Sequence, residues 1–212
     1  MDRPKFPMRL YFVRHGESTA NLLGEFSNGD SKHPLTEAGV GQAHSVMRSL
    51  SGLQVERIYS SPVMRAVQTA QILSTSFSAP LQITEALREW SVGIYEGTTD
   101  PAGWQLHRQV QDLWFDHQQF DRRMPGGESF SDIQNRFVPF IEALVSDGEN
   151  AGRDIILVSH GGLYIAVLPT ILKNVDFAFA RRHGFSYTAY AVAETRPDGL
   201  HCLSWCGVPV DD

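Results

Sequence analysis

Apolar residues recur along this chain in two rhythms, and the switch between them divides it into elements. Leu10-Tyr11-Phe12-Val13 is an unbroken apolar run, which predicts a buried strand at about 9–13. Val55–Ser60 reads as a second strand, 81–84 as a short one, and Ile155-Ile156-Leu157-Val158 as the clearest buried strand. Between these runs the spacing becomes helical. Thr36 is expected to cap a helix with Val40, Ala43, Met47 and Leu50 on one face. Ser61-Pro62 opens another, running to about Ser76, with Val63, Val67, Ala70 and Leu73 inward. Arg65, two residues after Val63, is then expected roughly opposite that stripe. Helical character returns at 100–116, in an aromatic segment of mixed periodicity. Ser129 and Asp132 form a capping-box pattern before a long amphipathic helix carrying Phe130, Ile133, Phe137, Ile141 and Leu144, with a kink expected at Pro139. An apolar helix follows through 163–172. Residues 189–194 and 200–206 read as an antiparallel pair around a Pro197-Asp198-Gly199 turn. Residues 16–35 and 147–154 read as loops.

Strands alternating with helices imply a mostly parallel sheet covered on both faces. The expected class is therefore α/β: a three-layer αβα sandwich, mostly parallel, with an antiparallel strand near the C-terminus. The 212 residues fit one domain spanning 1–212, with a helical cap at about 90–125.

Composition narrows the partners. The chain is 42% hydrophobic and 20% charged, with a formal net charge of -6. That balance argues against nucleic acid, which is bound through a basic surface. No apolar run is long enough for a bilayer, and Met1-Asp2-Arg3-Pro4 lacks the core of a signal peptide, so the expectation is a cytoplasmic protein with no membrane partner. Cys202 and Cys206 do not have zinc-site spacing and are expected as buried thiols. The sequence leaves the oligomeric state open, a homodimer included.

Chemistry enters at the strand ends. The first strand empties into Arg14-His15-Gly16-Glu17, and the strand at 155–158 empties into Ser159-His160-Gly161-Gly162. Open α/β sheets place their sites at such carboxyl edges. If the two strands are neighbours, His15 and His160 meet there, with Arg14 beside the first and Arg65 projecting from the start of a helix. Two imidazoles, two arginines and a helix N-terminus suit a multiply charged oxyanion. His15 is the candidate nucleophile.

These residues resemble the histidine phosphatase superfamily, which contains cofactor-dependent phosphoglycerate mutases and many small phosphatases. The matching blocks are Arg14-His15-Gly16-Glu17 with Asn21, then Leu35-Thr36-Glu37-Ala38-Gly39, then Ser60-Ser61-Pro62 with Arg65-Ala66 and Gln68-Thr69-Ala70. Glu89 with Gly93 and Glu96-Gly97, Gly126-Gly127-Glu128-Ser129 with Arg136, and Ser159-His160-Gly161-Gly162 complete the series in family order. The resemblance implies a phosphoglycerate mutase-like fold and a metal-independent phosphatase with no cofactor, acting on a small phosphorylated metabolite. It implies that His15 forms a phosphohistidine, that Arg14, Arg65 and His160 hold the phosphoryl oxygens, and that Glu89 is the acid and base, with a pKa raised by burial near Trp90. Asn21, Ser27 and Gly161 are the further substrate-binding candidates.

The resemblance also implies a branch. Val92 stands where the mutases carry tyrosine, and Thr98-Thr99-Asp100 lacks their lysine, which favours a phosphatase. A phosphoglycerate mutase-type transferase is the alternative, and Arg122-Arg123 is similar to a mutase feature. A non-catalytic phosphate-binding module is the third reading, opposed by the intact His15, Arg14, Arg65, Glu89 and His160. Gly184-Phe185-Ser186 replaces an asparagine common in relatives. His33, His44, His107, His117, His183 and His201, with Trp104, Trp114 and Phe115, are assigned ordinary packing or surface roles.

Overall fold

The computed structural model describes residues 7–29 and 32–211. One sheet of seven strands organises them. In chain order these are β1 (Arg9–Arg14), β2 (Val55–Ser60), β3 (Leu81–Ile83), β4 (Asp154–Ser159), β5 (Tyr190–Arg196), β6 (Gly199–Trp205) and β7 (Val208–Pro209). Across the sheet the order is β3-β2-β4-β1-β5-β6-β7. The β3, β2, β4 and β1 strands run parallel, and β5 to β7 add antiparallel pairings on the β1 side. The helices are α1 (Thr19–Leu23), α2 (Glu37–Ser49), α3 (Met64–Phe77), α4 (Pro101–Phe115), α5 (Phe130–Ser146), α6 (Gly161–Ile171) and α7 (Phe177–His183).

The period-two pleat sends alternate strand residues into two cores. Tyr11, Val13, Ile58, Ile156 and Val158 face α2 and α3, packing with Val46, Leu50, Ala66, Ala70 and Leu73. Leu10, Phe12, Ile155 and Leu157 face the other way, into a larger core with Phe130, Phe137, Leu163, Trp114 and Trp205. The molecule is thus the three-layer αβα sandwich expected, with β1 and β4 buried on both faces.

Several local expectations change. The segment 16–35 contains α1, whose capping box joins Ser18 to Asn21. The buried stripe of α2 is Gly39, Ala43 and Val46, while Val40 is exposed. The α3 helix begins at Met64, and Val63 is extended ahead of it. Helical spacing counted from Val63 therefore does not apply, and Arg65 lies beside Ala66 and one turn before Thr69 on the buried face. Ser61 is not the helix cap. Pro139 sits inside α5 without ending it. Neither α7 nor β7 was anticipated.

Candidate active site

The register of β1 on β4 builds the site. Arg14 pairs with Ser159, so the next residues, His15 and His160, leave the sheet side by side. The His15 amide donates to the Ser159 carbonyl at 2.9 Å, and the two rings lie 5.0 Å apart at 62°. The turn after His15 is pressed onto the start of α2: a Cβ on Gly39 would lie 2.0 Å from the Glu17 carbonyl oxygen. Thr36 caps α2 by accepting from Gly39 N and donates to Glu17 Oε1, so this block braces the turn instead of entering the cleft.

Hydrogen-bond partners fix the imidazole protons. His15 Nδ1 lies 2.6 Å from the Gly16 carbonyl, which can only accept, so Nδ1 carries the hydrogen. Nε2 is then the acceptor, and Arg65 Nε donates to it at 3.0 Å. His160 has the opposite tautomer. Arg65 Nη2 approaches its Nδ1 at 3.3 Å, and its Nε2 donates to Ser61 Oγ at 2.8 Å. Both rings are held neutral: burial, then the neighbouring guanidiniums of Arg65 and Arg14, push their pKa values well below the ordinary 6.5.

Arg65 is 4% exposed and joins both histidines to the first loop, since its Nη1 donates to the Ser27 carbonyl at 2.6 Å. Arg14 lies over the Tyr187 ring at 4.5 Å and donates through Nη1 to the Phe185 carbonyl. Its Nε is buried without a hydrogen-bond partner. An orphaned guanidinium donor lining a cleft fits an oxyanion ligand.

Glu89 completes the floor. Its Oε1 accepts from Trp90 N and its Oε2 from Gly162 N, each at 3.0 Å. A Cβ on Gly162 would sit 2.7 Å from Oε2, so the helix start must be glycine for the carboxylate to dock. Burial raises the Glu89 pKa, against the lowering effects of the Trp90 amide and of Arg65, Arg14 and Arg136. Glu96 and Glu85, the nearby alternatives, are engaged by Gly29 N and by Arg88 and do not line the cleft.

Of the expected residues, Arg14, His15, Asn21, Ser27, Arg65, Glu89 and Gly161 line one cleft of 230 Å³. His160 adjoins it but does not line it; it is 1% exposed behind Arg65, with both ring nitrogens engaged. Asn21 spends its Oδ1 on the Ser18 cap and keeps its amide hydrogens for a ligand. Arg122 and Arg123 are elsewhere: Arg122 contacts Gln119, and Arg123 pairs with Asp132 at 3.0 Å. Among the described residues no cluster of His, Cys, Asp or Glu could hold a metal ion.

The sequence reading places a cap at about 90–125 but gives Trp104 and His107 ordinary packing or surface roles and does not single out Phe26 or Glu25. His107 and Trp104 from α4 line the cleft, with Phe26 and Glu25 from the first loop. His107 stacks on Trp90 at 4.4 Å, and Phe26 stacks on Trp104 at 3.8 Å. The i, i+3 spacing of Trp104 and His107 puts them on one face of α4, a signal present in the sequence but shared with ordinary packing stripes.

The end of β1 brings a neutral histidine and an orphaned arginine donor to a cleft that Glu89, a carboxyl group of raised pKa, enters from the turn after residues 85–87, and this is the fold and side-chain set of a phosphoric monoester hydrolase. The chain belongs to the histidine phosphatase superfamily (branch 1), whose family model matches residues 10–207. It is 33% identical over 160 residues to a protein of Hydrogenobacter thermophilus named "Putative phosphoserine phosphatase 2", covering 76% of each chain. It is 29% identical to the Yersinia pestis (strain Pestoides F) protein named "Probable phosphoglycerate mutase GpmB", over 78% of this chain and 75% of that one. Among solved structures it superposes on a mycobacterial glucosyl-3-phosphoglycerate phosphatase with a TM-score of 0.77 and 25% identity, covering 94% of this chain and 98% of that one.

Proposed function

We propose that this protein is a metal-independent phosphatase that hydrolyses phosphate monoesters of small metabolites through a phosphohistidine at His15. The observation that carries the reading is the unprotonated His15 Nε2, set by the Nδ1 hydrogen bond to Gly16 O; its lone pair accepts from Arg65 Nε, a donor that a bound phosphoryl oxygen would draw away. In the first step Nε2 attacks phosphorus, the P–O ester bond breaks, and Glu89 gives its proton to the departing oxygen. The positive charge left on the ring is met at Nδ1–H by the Gly16 carbonyl. In the second step Glu89 takes a proton from water as that water attacks phosphorus, the P–N bond breaks, and inorganic phosphate leaves. Arg14 and Arg65 hold the equatorial oxygens, where charge spreads in the transition state. Asn21, Ser27 and the Gly161 turn edge the same space, and His160 acts through Arg65 and beside His15.

Two carboxylates reach the cleft, and their environments separate their roles. Glu25 is held below the usual carboxylate range by hydrogen bonds from Lys32 and His33, so it stays ionised. Glu89 is pushed the other way, which supports it as the proton donor. The free thiols Cys202 and Cys206 fit the expected cytoplasmic setting. The whole chain then acts as one catalytic unit with the α4 segment as its cap.

A mutase remains the second reading because of the Yersinia relative. Val92, fully buried, offers no group to a substrate at the position where mutases carry tyrosine. Incubation with a labelled phosphate ester is expected to leave acid-labile, base-stable label on the wild type and none on His15→Ala. Label persisting on that variant overturns the nucleophile. Transfer to phosphoglycerate outpacing hydrolysis, with a bisphosphoglycerate primer, promotes the mutase.

A further inference from the structure

The cleft has two unlike ends. At the phosphate end lie Arg14 and Arg65; beyond them, among the described residues, no further cation lines it. The other end is walled by Trp104 and His107, with Phe26 against Trp104 and Trp90 against His107. His107 is uncharged there, since burial and then Arg108 lower its pKa to about 4. Glu25 is the charged group on this side, and Lys32 (2.8 Å) and His33 (3.0 Å) both reach its Oε1 from outside the cleft lining. Nearby cations are committed elsewhere: Arg88 to Glu85 and the Gly29 carbonyl, Arg136 to Glu128 and the Ala86 carbonyl. Arg108 is exposed and outside the lining.

A leaving group bearing a second anion would therefore meet a carboxylate and neutral rings, with no donor fork to receive it. Phosphoserine, phosphoglycerate and glucosyl-3-phosphoglycerate, the compounds named for the relatives, each carry a carboxylate near the phosphate. A planar uncharged group would instead meet the aromatic side chains that line this end, contacts that favour a ring. The volume agrees: a cavity of about 150 Å³ already admits benzene, so 230 Å³ leaves room for a phosphoryl group with a single ring.

We propose, resting on the phosphatase reading, that this site selects phosphate monoesters whose leaving group is an uncharged planar ring seated against Trp104 and His107, and that Glu25 turns away leaving groups carrying a second anion. The test uses esters of similar leaving-group basicity that separate ring from charge: benzyl phosphate, glycerol 1-phosphate and 3-phosphoglycerate. The wild type is expected to rank them in that order by kcat/KM. Trp104→Leu is expected to reduce the benzyl-to-glycerol ratio about tenfold, chiefly through KM, the scale of a lost ring contact, and Trp104→Phe to restore most of it. Glu25→Gln is expected to raise 3-phosphoglycerate relative to glycerol 1-phosphate by about threefold to tenfold, an effect that shrinks with salt. A wild type that prefers 3-phosphoglycerate, or variants that leave both ratios unchanged, overturns the inference while the phosphatase reading stands. Calorimetric binding of benzylphosphonate against 3-phosphonopropionate separates the two claims. If no ester turns over, tighter binding of the ring compound still upholds the selectivity, and equal or reversed binding ends it.

Discussion

The two ends of this cleft are built by different means. The phosphate end is made from the ends of elements: β1 and β4 stop in register, α3 and α6 start beside them, and backbone groups orient the side chains. His15 is set by the Gly16 carbonyl, Arg14 by the Phe185 carbonyl, Arg65 by the Ser27 carbonyl and Glu89 by two amides. The opposite end is made from side-chain faces that meet across the sequence, Phe26 on Trp104 and Trp90 on His107. The first construction orients each group through a backbone hydrogen bond, the kind of positioning on which phosphoryl transfer depends. The second fixes a shape and a polarity, which is enough to choose a leaving group. Chemistry and selectivity should therefore separate under mutation.

The largest effect belongs to the first end. Arg65 donates to His15 Nε2, to His160 Nδ1 and to the Ser27 carbonyl through three different nitrogens. A lysine keeps the charge and loses this planar fork. Arg65→Lys is expected to lower kcat by about 10²- to 10³-fold, the scale of losing a transition-state donor, and by nearly the same factor for benzyl phosphate and glycerol 1-phosphate. Unequal losses across that pair would show that the two ends are coupled.

Glu89 stands between them, since it serves the leaving group from the phosphate side. Glu89→Gln should lower kcat/KM by about 10²-fold or more for alkyl phosphates and much less for p-nitrophenyl phosphate, whose oxygen leaves without a proton. Its pH dependence follows from the raised pKa. The acid form needed for the first step persists above the ordinary value of 4.5 and is lost as pH rises through the folded value, so kcat/KM for alkyl esters falls on that limb. The variant, with nothing to lose there, should show the limb flattened. Equal losses for both kinds of ester would remove the acid role.

The same contrast explains what the sequence could tell. Element ends leave local signatures: an apolar run followed by His-Gly, and Thr36 and Ser129 at caps. The αβα class and the convergence of Arg14, His15 and Arg65 were legible for that reason, while Glu89 came from the family resemblance alone. Even there one detail slipped, because α3 starts at Met64 and Ser61 turns its hydroxyl to His160. Stacked faces leave no local signature. Phe26 lies in a polar loop, and nothing around it announces a partner almost eighty residues downstream. Trp104 and His107 repeat at helical spacing, but so does any packed stripe. The α7 helix was missed although Asp176 caps it by accepting from Phe179 N; its seven residues are too few for a periodicity to register against Gly184 and the preceding turn.

The smallest effect tests whether the ring wall is as dry as its packing implies. His107 is neutral when folded, with its pKa lowered from 6.5 to about 4. A depressed imidazole contributes stability that is fully present above the unfolded value and is lost as pH falls toward the folded one. Between pH 6.5 and about 4 the unfolded chain takes up a proton that folded His107 refuses, at a cost of about 1.4 kcal/mol per pH unit. His107→Phe keeps a ring on Trp90 and removes the titration, while His15 and His160 titrate alike in both proteins. Urea unfolding at pH 7 and pH 5 should therefore show the wild type losing about 2 kcal/mol more than the variant. Parallel losses would mean that His107 is solvated and free to protonate, and a wall that admits water and charge could not exclude an anionic leaving group in the way the rigid end excludes a misplaced phosphate.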